Sequence, residues 1–256
     1  MSPKRNWSRE ELILAFNLYC KIPFTKINAR YKPVIELSKI IERTPDAVAF
    51  KLANFARLDP SLQKRNVGGL KHGSKGEELV WNEFHGNWEE LSYQSEKLLA
   101  ECKGESVERT AEIETYDLPK EGKERDAIVK VRVNQNFFRS MILSSYQTTC
   151  CITGLKIKEL LVGSHIIPWS KDKENRMNPE NGLCLNALHD KAFDKGLITI
   201  STDLKVIVSD RLLKDAENKV LQKYFFPYHE KEILKPDRFM PKEEFLQYHR
   251  DKIFKN

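Results

Sequence analysis

The fold of the carboxyl-terminal half is decided by the stretch CITGLKIKELLVGSHIIPWSKDKENRMNPENGLCLNALHDKAFDKGLITI, residues 151–200. This stretch contains two histidines in different local settings. β-Branched residues surround His165, and Pro168 follows it, which predicts that His165 lies at the end of a β-strand. His189 stands in a segment with the composition and boundaries of a helix.

A turn and a second strand are predicted between the two histidines. The segment NPENG, residues 178–182, combines turn-forming residues with a glycine and so favours a tight reversal that contains Asn181. The short apolar run Leu183–Leu185 then predicts a strand. Asn186 can cap a helix that Gly196 ends, because glycine readily adopts the left-handed conformation. The predicted order is strand, loop, strand, helix.

Several motifs in this half resemble restriction-type members of the HNH endonucleases, a family with the ββα-metal fold. They are RVNQNFFRSMIL, CITG, SHIIPW, NPENGLCL, HDKAFDKGLITI and FLQYHRDKIF. The similarity covers residues 130–254, about half of the chain. His165, Asn181 and His189 match the family's strand histidine, loop asparagine and helix metal ligand. The resemblance therefore implies an α+β fold with a ββα-metal nuclease domain.

The resemblance also implies a role for each matching residue. His165 would be the general base that takes a proton from water, since the pKa of imidazole lies near neutrality. His189 would bind a divalent metal, Mg²⁺ or Mn²⁺, that stabilises charge on the phosphate and the leaving oxygen. Asn181 would brace the loop and orient the base histidine.

The sequence departs from the family pattern at one position. Many members carry an acidic residue or histidine directly before the base as another metal ligand, and here that residue is Ser164. Asp194 lies near the end of the predicted helix, five residues after His189. It supplies either a second oxygen ligand or a tie between the helix end and the Gly196 turn, and the sequence does not decide between these roles.

The cysteines favour free thiols over a metal or disulfide framework. Some relatives hold a structural zinc with two CxxC pairs, but no CxxC occurs here, so no structural zinc is expected. The chain starts with MSPKRNW and contains no apolar run that could span a bilayer. These features predict a cytoplasmic protein without a membrane partner. His249 lies in an amphipathic segment, where packing or exposure is expected instead of catalysis.

Charge is unevenly distributed along the chain. Residues 1–75 hold 15 basic and 6 acidic side chains, a net charge of +9, and residues 76–128 hold 6 and 15, a net charge of −9. Residues 129–256 hold 22 and 16, a net charge of +6. Two basic regions thus flank an acidic segment. This pattern favours DNA binding by both ends, although it is also compatible with charged helical surfaces that have no such role.

The amino-terminal region predicts three helices. Ser8 and Glu11 form a capping box before a helix expected from Arg9 to Cys20. A second helix follows Pro33, and Thr44 with Pro45 starts a third.

The phrase ELSKIIERTPDAVAFKL is similar to helices two and three of Myb-like trihelical DNA-binding domains, in which the last helix enters the major groove. This similarity predicts a helix-turn-helix. Asp46, Lys51 and Asn54 are expected to face outward and to contact bases or phosphates. The candidates for backbone contacts in the following loop are Lys64, Arg65 and Lys71.

Taken together, the patterns predict a helical DNA-binding domain over residues 1–100, an acidic linker over 101–128 and a nuclease domain over 129–256. The leading hypothesis is a metal-dependent endonuclease that cuts double-stranded DNA in restriction or defence. Cleavage of both strands would favour a homodimer. The alternatives are a DNA-binding regulator whose HNH scaffold is inactive, and a nickase or structure-selective nuclease.

Overall fold

The structure, a computed structural model, describes residues 5–65 and 73–256. The chain divides into two compact units, one up to Met141 and one from Ile142 onward. Helices of the first unit are α1 (Arg9–Lys21), α2 (Lys32–Ile40), α3 (Pro45–Leu58), α4 (Pro60–Lys64), α5 (Lys75–Phe84), α6 (Trp88–Lys103), α7 (Val107–Thr110) and α8 (Lys123–Ser145), the last of which continues past Met141.

The second unit combines short strands with helices. Its elements are β1 (Leu161–His165), β2 (Gly182–Asn186), α9 (Ala187–Asp194), β3 (Ile198–Ile200), β4 (Val206–Val208), α10 (Asp210–Leu213), α11 (Lys219–Tyr224) and α12 (Glu243–Lys252). Two antiparallel ribbons form, β1 with β2 and β3 with β4. The chain is therefore an α+β protein, as predicted. No helix among the described residues has the length and apolarity needed to cross a bilayer.

The predicted helix starts of the amino-terminal unit are confirmed. The Ser8 hydroxyl accepts from the Glu11 N–H at 3.2 Å, and the Glu11 carboxylate accepts from the Ser8 N–H at 2.8 Å. Thr44 caps α3 by accepting from the Ala47 N–H at 3.2 Å. The helices pack around aromatic rings, with Phe16 stacked on Phe55 at a centroid distance of 4.9 Å. This unit is helical, and its role as a helix-turn-helix stays a prediction.

Residues 101–128 do not form the predicted acidic linker. Their apolar side chains include Val107 and Ile113, and they pack with Val129 and Val133 in one cluster. The Arg125 guanidinium pairs with the Glu108 carboxylate at 2.6 Å. The segment is poor in apolar residues, but those that it has are spaced to cover α6 and α8. It therefore belongs to the first unit.

The prediction that Lys51 and Asn54 face outward is wrong. Both side chains are buried and contact the carboxylate of Glu77, whose exposed fraction is 0%. A buried carboxylate requires a positive partner and hydrogen bonds, and Lys51 and Asn54 supply them. Asp46, Lys64 and Arg65 are exposed, as a DNA-contacting role requires. Lys71 lies outside the described residues.

His249 is a core residue of the second unit, which agrees with the expectation of packing. Its Nε2 donates to the Phe193 carbonyl at 3.1 Å, and its Nδ1 lies 2.9 Å from the Thr199 hydroxyl. The ring stacks on Phe193 at 3.6 Å. Burial lowers the pKa of His249 to about 4, although the bond to the Phe193 carbonyl opposes that shift. The imidazole of α12 is therefore neutral where it meets α9 and β3.

We expect Lys51→Ala to lower the free energy of unfolding by about 3 kcal/mol, because the Glu77 charge would stay buried without its partner. The matched control is Lys64→Ala, an exposed lysine whose loss should change stability by less than about 0.5 kcal/mol. Denaturant titration measures both effects. Equal stability losses in the two variants would contradict the assignment of Lys51 to a buried ion pair.

Stability of the second unit should fall as the pH decreases from 6.5 to 4. In that range the unfolded chain binds a proton at His249 that the folded chain excludes, so protonation favours unfolding by up to about 3 kcal/mol. The variant His249→Gln cannot take up this proton. Urea melts at several pH values should therefore show a shallower acid decline for His249→Gln than for the wild type, and identical slopes would refute this origin.

Candidate active site

The β1–β2 ribbon brings the end of β1 beside the turn that precedes β2. The strands run antiparallel, with His165 opposite Gly182 and Leu161 opposite Asn186. The turn itself is a short 3-10 helix, Pro179–Asn181. The Ile166 N–H donates to the Asn181 carbonyl at 3.0 Å. The strand exit and the turn are thus joined directly behind His165.

Asn181 fixes this junction through its side chain. Its exposed fraction is 0%. The Oδ1 atom accepts from the Ile167 N–H at 2.8 Å, and Nδ2 donates to the Ile167 carbonyl at 3.1 Å. A further Nδ2 contact reaches the Asn175 carbonyl at 3.3 Å. A side-chain amide accepts at its oxygen and donates two hydrogens from its nitrogen without carrying a charge. These bonds are those expected of a residue that braces the loop.

The imidazole of His165 is oriented by a backbone carbonyl. Its Nε2 lies 2.9 Å from the Arg176 oxygen, and because that oxygen can only accept, Nε2 carries the proton. The lone pair of the neutral ring is then on Nδ1. The Trp169 ring meets His165 edge to face at a centroid distance of 5.5 Å, and the Arg176 guanidinium covers the same tryptophan at 5.1 Å.

Burial lowers the pKa of His165, and the bond to the Arg176 carbonyl opposes the shift without reversing it. The ring is therefore neutral at pH 7, which is the state that a general base requires. The tautomer and the pKa direction agree with the predicted role of His165.

His189 has a different environment. Asn186 is the N-cap of α9. Its Oδ1 accepts from the His189 N–H at 3.0 Å and also lies 3.0 Å from the His189 Nδ1. The other ring nitrogen, Nε2, lies 2.8 Å from the Tyr224 carbonyl. Phe225 and Tyr228 pack against the ring at centroid distances of 5.1 and 5.7 Å. Its exposed fraction is 1%.

These contacts do not fit the predicted role of His189 as a metal ligand. A ligand histidine must present a nitrogen lone pair to the metal, while here both ring nitrogens face oxygen acceptors. Burial lowers the pKa of His189, and the Tyr224 carbonyl opposes that shift. In this structure His189 ties α9 to the segment that follows α11.

Asp194 makes no hydrogen bond or ion pair to any described residue, so its predicted tie to the Gly196 turn is not formed. Backbone groups close that turn, since the Gly196 N–H donates to the Phe193 carbonyl at 2.9 Å. Burial raises the pKa of Asp194 and the nearby Asp190 carboxyl raises it further, while Lys191 and Lys195 oppose the shift.

Asp190 is a second carboxylate of α9, which the sequence patterns did not single out. Burial raises the pKa of its carboxyl, while the nearby Ser164 hydroxyl and Lys191 oppose the shift. Asp190 and Asp194 are four residues apart on α9, which places both carboxyls on one face of the helix. The sequence shows this four-residue spacing as DKAFD, residues 190–194. Residues four apart lie closer together on a helix face than residues five apart, such as His189 and Asp194.

The donors on α9 are suited to a hard divalent cation. Within residues 5–65 and 73–256, no three side chains of His, Cys, Asp or Glu group into a metal site. Magnesium needs less, because it retains several waters and binds one or two carboxylates together with phosphate oxygens. Asp190 and Asp194 meet that requirement.

Comparison with known proteins gives one family match. The model of a family described as HNH endonuclease matches residues 150–201. The matched segment includes both strands of the His165 ribbon and the whole of α9, and it confirms the resemblance seen in the sequence over these residues. Among curated proteins, no relative matches the chain.

We expect Asn181→Asp to destabilise the second unit by about 1–3 kcal/mol, because the Ile167 and Asn175 carbonyls lose their donor inside a buried site. Asn178→Asp is a suitable control, since it keeps the oxygen that accepts from the Glu180 N–H at 3.0 Å. Thermal unfolding followed by circular dichroism distinguishes the two. A melting temperature unchanged by Asn181→Asp would show that the bracing contacts have no energetic role.

Proposed function

From the HNH endonuclease segment at residues 150–201, we propose that this protein is a metal-dependent endonuclease that hydrolyses phosphodiester bonds of double-stranded DNA. The observation that carries the proposal is the state of His165. A half-buried, neutral imidazole whose Nε2–H is held by the Arg176 carbonyl can accept a proton from water at Nδ1.

The residues around His165 have defined tasks in this mechanism. His165 takes the proton of the attacking water at Nδ1, and the Arg176 carbonyl stabilises the imidazolium that results. Asn181 keeps the strand exit in register, so that the ring keeps its orientation. A divalent ion, Mg²⁺ or Mn²⁺, would supply positive charge beside the phosphate and the leaving oxygen. Of the two predicted ligands, Asp194 fits that ion and His189 does not.

The helical first unit is proposed to hold the DNA. Its first 75 residues carry a net charge of +9, which attracts a polyanion. Asp46, Lys64 and Arg65 remain candidates for contacts with DNA. Lys51 and Asn54 are buried in the core of the unit. We also propose that the protein acts in restriction or defence. A homodimer would allow it to cut both strands.

The experiment is a plasmid cleavage assay with Mg²⁺ or Mn²⁺. Wild-type protein should nick or cut supercoiled DNA, and His165→Ala should reduce the rate by at least about 100-fold, because proton transfer by a positioned base contributes that much. DNA binding, measured by gel shift, should stay unchanged in His165→Ala.

The matched control is His85→Ala, which removes an exposed histidine of the first unit and should leave cleavage unaltered. Equal cleavage by His165→Ala and wild type would reject His165 as the base. If wild-type protein binds DNA but cleaves neither strand with either ion, the protein is a DNA-binding regulator on an HNH scaffold. Nicking of one strand alone would instead support the nickase alternative.

A further inference from the structure

A cavity of about 510 Å³ lies at the start of α9, within the second unit. Three segments line it: the loop before β1, the first turn of α9 and the segment from α11 onward. The lining side chains include Leu155, Leu160, Leu188, Tyr224 and Tyr228. Ligand sites of proteins have volumes of about 300–1,000 Å³ and mainly apolar walls with a few polar groups, and this cavity meets both conditions.

Several of the apolar side chains around this cavity are exposed. Leu160 is 49% exposed, Leu188 46% and Tyr224 42%. Ile157 in the loop before β1 and Val220, one turn before Tyr224 on α11, are exposed as well. A single exposed apolar side chain is ordinary, but a group of them around a cavity indicates a binding surface. The start of α9 therefore presents an open apolar site and not a closed core.

Lysines flank the cavity on two sides. The loop before β1 carries Lys156 and Lys158, and α11 carries Lys219 and Lys223, all of them exposed. Glu159 is the one acidic residue in the sequence of residues 155–160 and 219–224. The first turn of α9 adds the positive end of a helix dipole. A ligand that joins an apolar ring to a negative charge matches these surroundings.

Two tyrosines give the cavity a surface on which a base can stack. Tyr224 and Tyr228 both line it, and the Lys223 Nζ lies 5.4 Å from the centroid of the Tyr224 ring. His189 supports this wall, because its Nε2 lies 2.8 Å from the Tyr224 carbonyl and its ring meets Tyr228 at a centroid distance of 5.7 Å. Proteins bind unpaired nucleotides with aromatic rings for the bases and basic side chains for the phosphates.

The cavity and His165 lie at opposite ends of the β1–β2 ribbon. Asn186, which lines the cavity, pairs with Leu161, and His165 pairs with Gly182 four residues along. At about 3.3 Å per residue, the two ends of the ribbon are about 13 Å apart. Phosphates along one strand of DNA follow each other by about 3.4 Å of helix axis. A strand with a phosphate at His165 can therefore place a nucleotide a few positions away in the cavity.

We propose that this cavity holds one unpaired nucleotide of the DNA, with its base against Tyr224 and Tyr228 and its phosphate near Lys223. The inference rests on the proposed nuclease function. It narrows the substrate to DNA in which a nucleotide is unpaired at a gap or is extruded from the duplex. The paired tyrosines and the position on the ribbon of His165 favour a nucleotide over an acidic, apolar peptide.

The test is DNA binding by the full-length protein, measured by fluorescence anisotropy in EDTA so that no strand is cut. The probes are a duplex of about 30 base pairs with a short gap of thymidines and the same duplex without the gap. Wild-type protein should bind the gapped duplex about tenfold more tightly, because stacking adds to the phosphate contacts.

Variants of the two tyrosines test the stacking surface. Tyr224→Ala and Tyr228→Ala should each reduce the preference for the gapped duplex to less than about twofold, whereas Tyr224→Phe keeps the ring and should retain it. The matched control is Tyr116→Ala, which removes an exposed tyrosine of the first unit and should leave the preference unchanged. Thermal melts in the same buffer show which variants are folded. Leu188→Asp, at an exposed position, should also abolish the preference by repelling the phosphate.

The lysine beside Tyr224 has a different expected effect. Lys223→Gln should weaken binding of both duplexes and reduce the slope of log K against log salt by about 1, because one phosphate contact is lost. An unchanged slope would overturn the placement of the phosphate.

Equal wild-type affinities for the two duplexes would overturn the inference, as would a preference that survives in both tyrosine-to-alanine variants. Binding of a peptide rich in Glu and Leu that is lost in Tyr224→Ala, together with no preference for the gap, would assign the cavity to a protein partner instead. Because the assay contains no divalent ion, it is independent of cleavage. Plasmid cutting without a gap preference leaves the proposed function intact, and a gap preference without cutting leaves the nucleotide site intact.

Discussion

The hydrogen bonds between Asn181 and the backbone of Ile167 hold the arrangement on which the rest of the second unit depends. Strand β1 is five residues long, and a two-stranded ribbon of that size is marginal in water without further support. The buried amide closes the 166–181 loop onto the strand exit, so the loop carbonyl of Arg176 reaches the His165 ring. One uncharged side chain therefore determines both the course of the loop and the tautomer of the His165 ring.

The two histidines of residues 150–201 differ in what their ring nitrogens contact. Burial lowers the pKa of both rings, and each contacts one backbone carbonyl through Nε2. The difference is at Nδ1. In His189 that atom faces Asn186 Oδ1, an acceptor that already caps α9, and the ring is consequently used for packing. The carboxylates of Asp190 and Asp194 lie one and five residues further along the helix.

Features governed by neighbours in the chain were predictable from the sequence. The capping residue Asn186, the helix stop at Gly196 and the turn containing Asn181 all lie where local propensity placed them, because caps and turns depend on a few adjacent residues. Lys51 was misassigned because its partner, Glu77, lies on another helix 26 residues away. The periodicity of α3 shows which of its positions lie near the apolar face. It does not show that a carboxylate on another helix pairs with a lysine at one of them.

The same limit applies to the site. The Tyr224 carbonyl that engages His189 is 35 residues distant in sequence, and a backbone atom leaves no residue-specific signal. The side-by-side placement of Ser164 and Asp190 likewise requires β1 to pack on α9. In contrast, the four-residue spacing of Asp190 and Asp194 is a local helical property that the sequence already contained.

The end of α9 has a consequence for the order in which the polypeptide acquires structure during synthesis. Gly196 has φ +69°, and a Cβ there would lie 2.0 Å from the Ile253 carbonyl, so the backbone at 253–255 packs directly on this glycine. The Lys255 N–H donates to the Gly196 carbonyl at 2.9 Å. Translation delivers α9 well before residues 253–255 leave the ribosome. The end of α9 therefore gains this support only once residues 253–255 have been made.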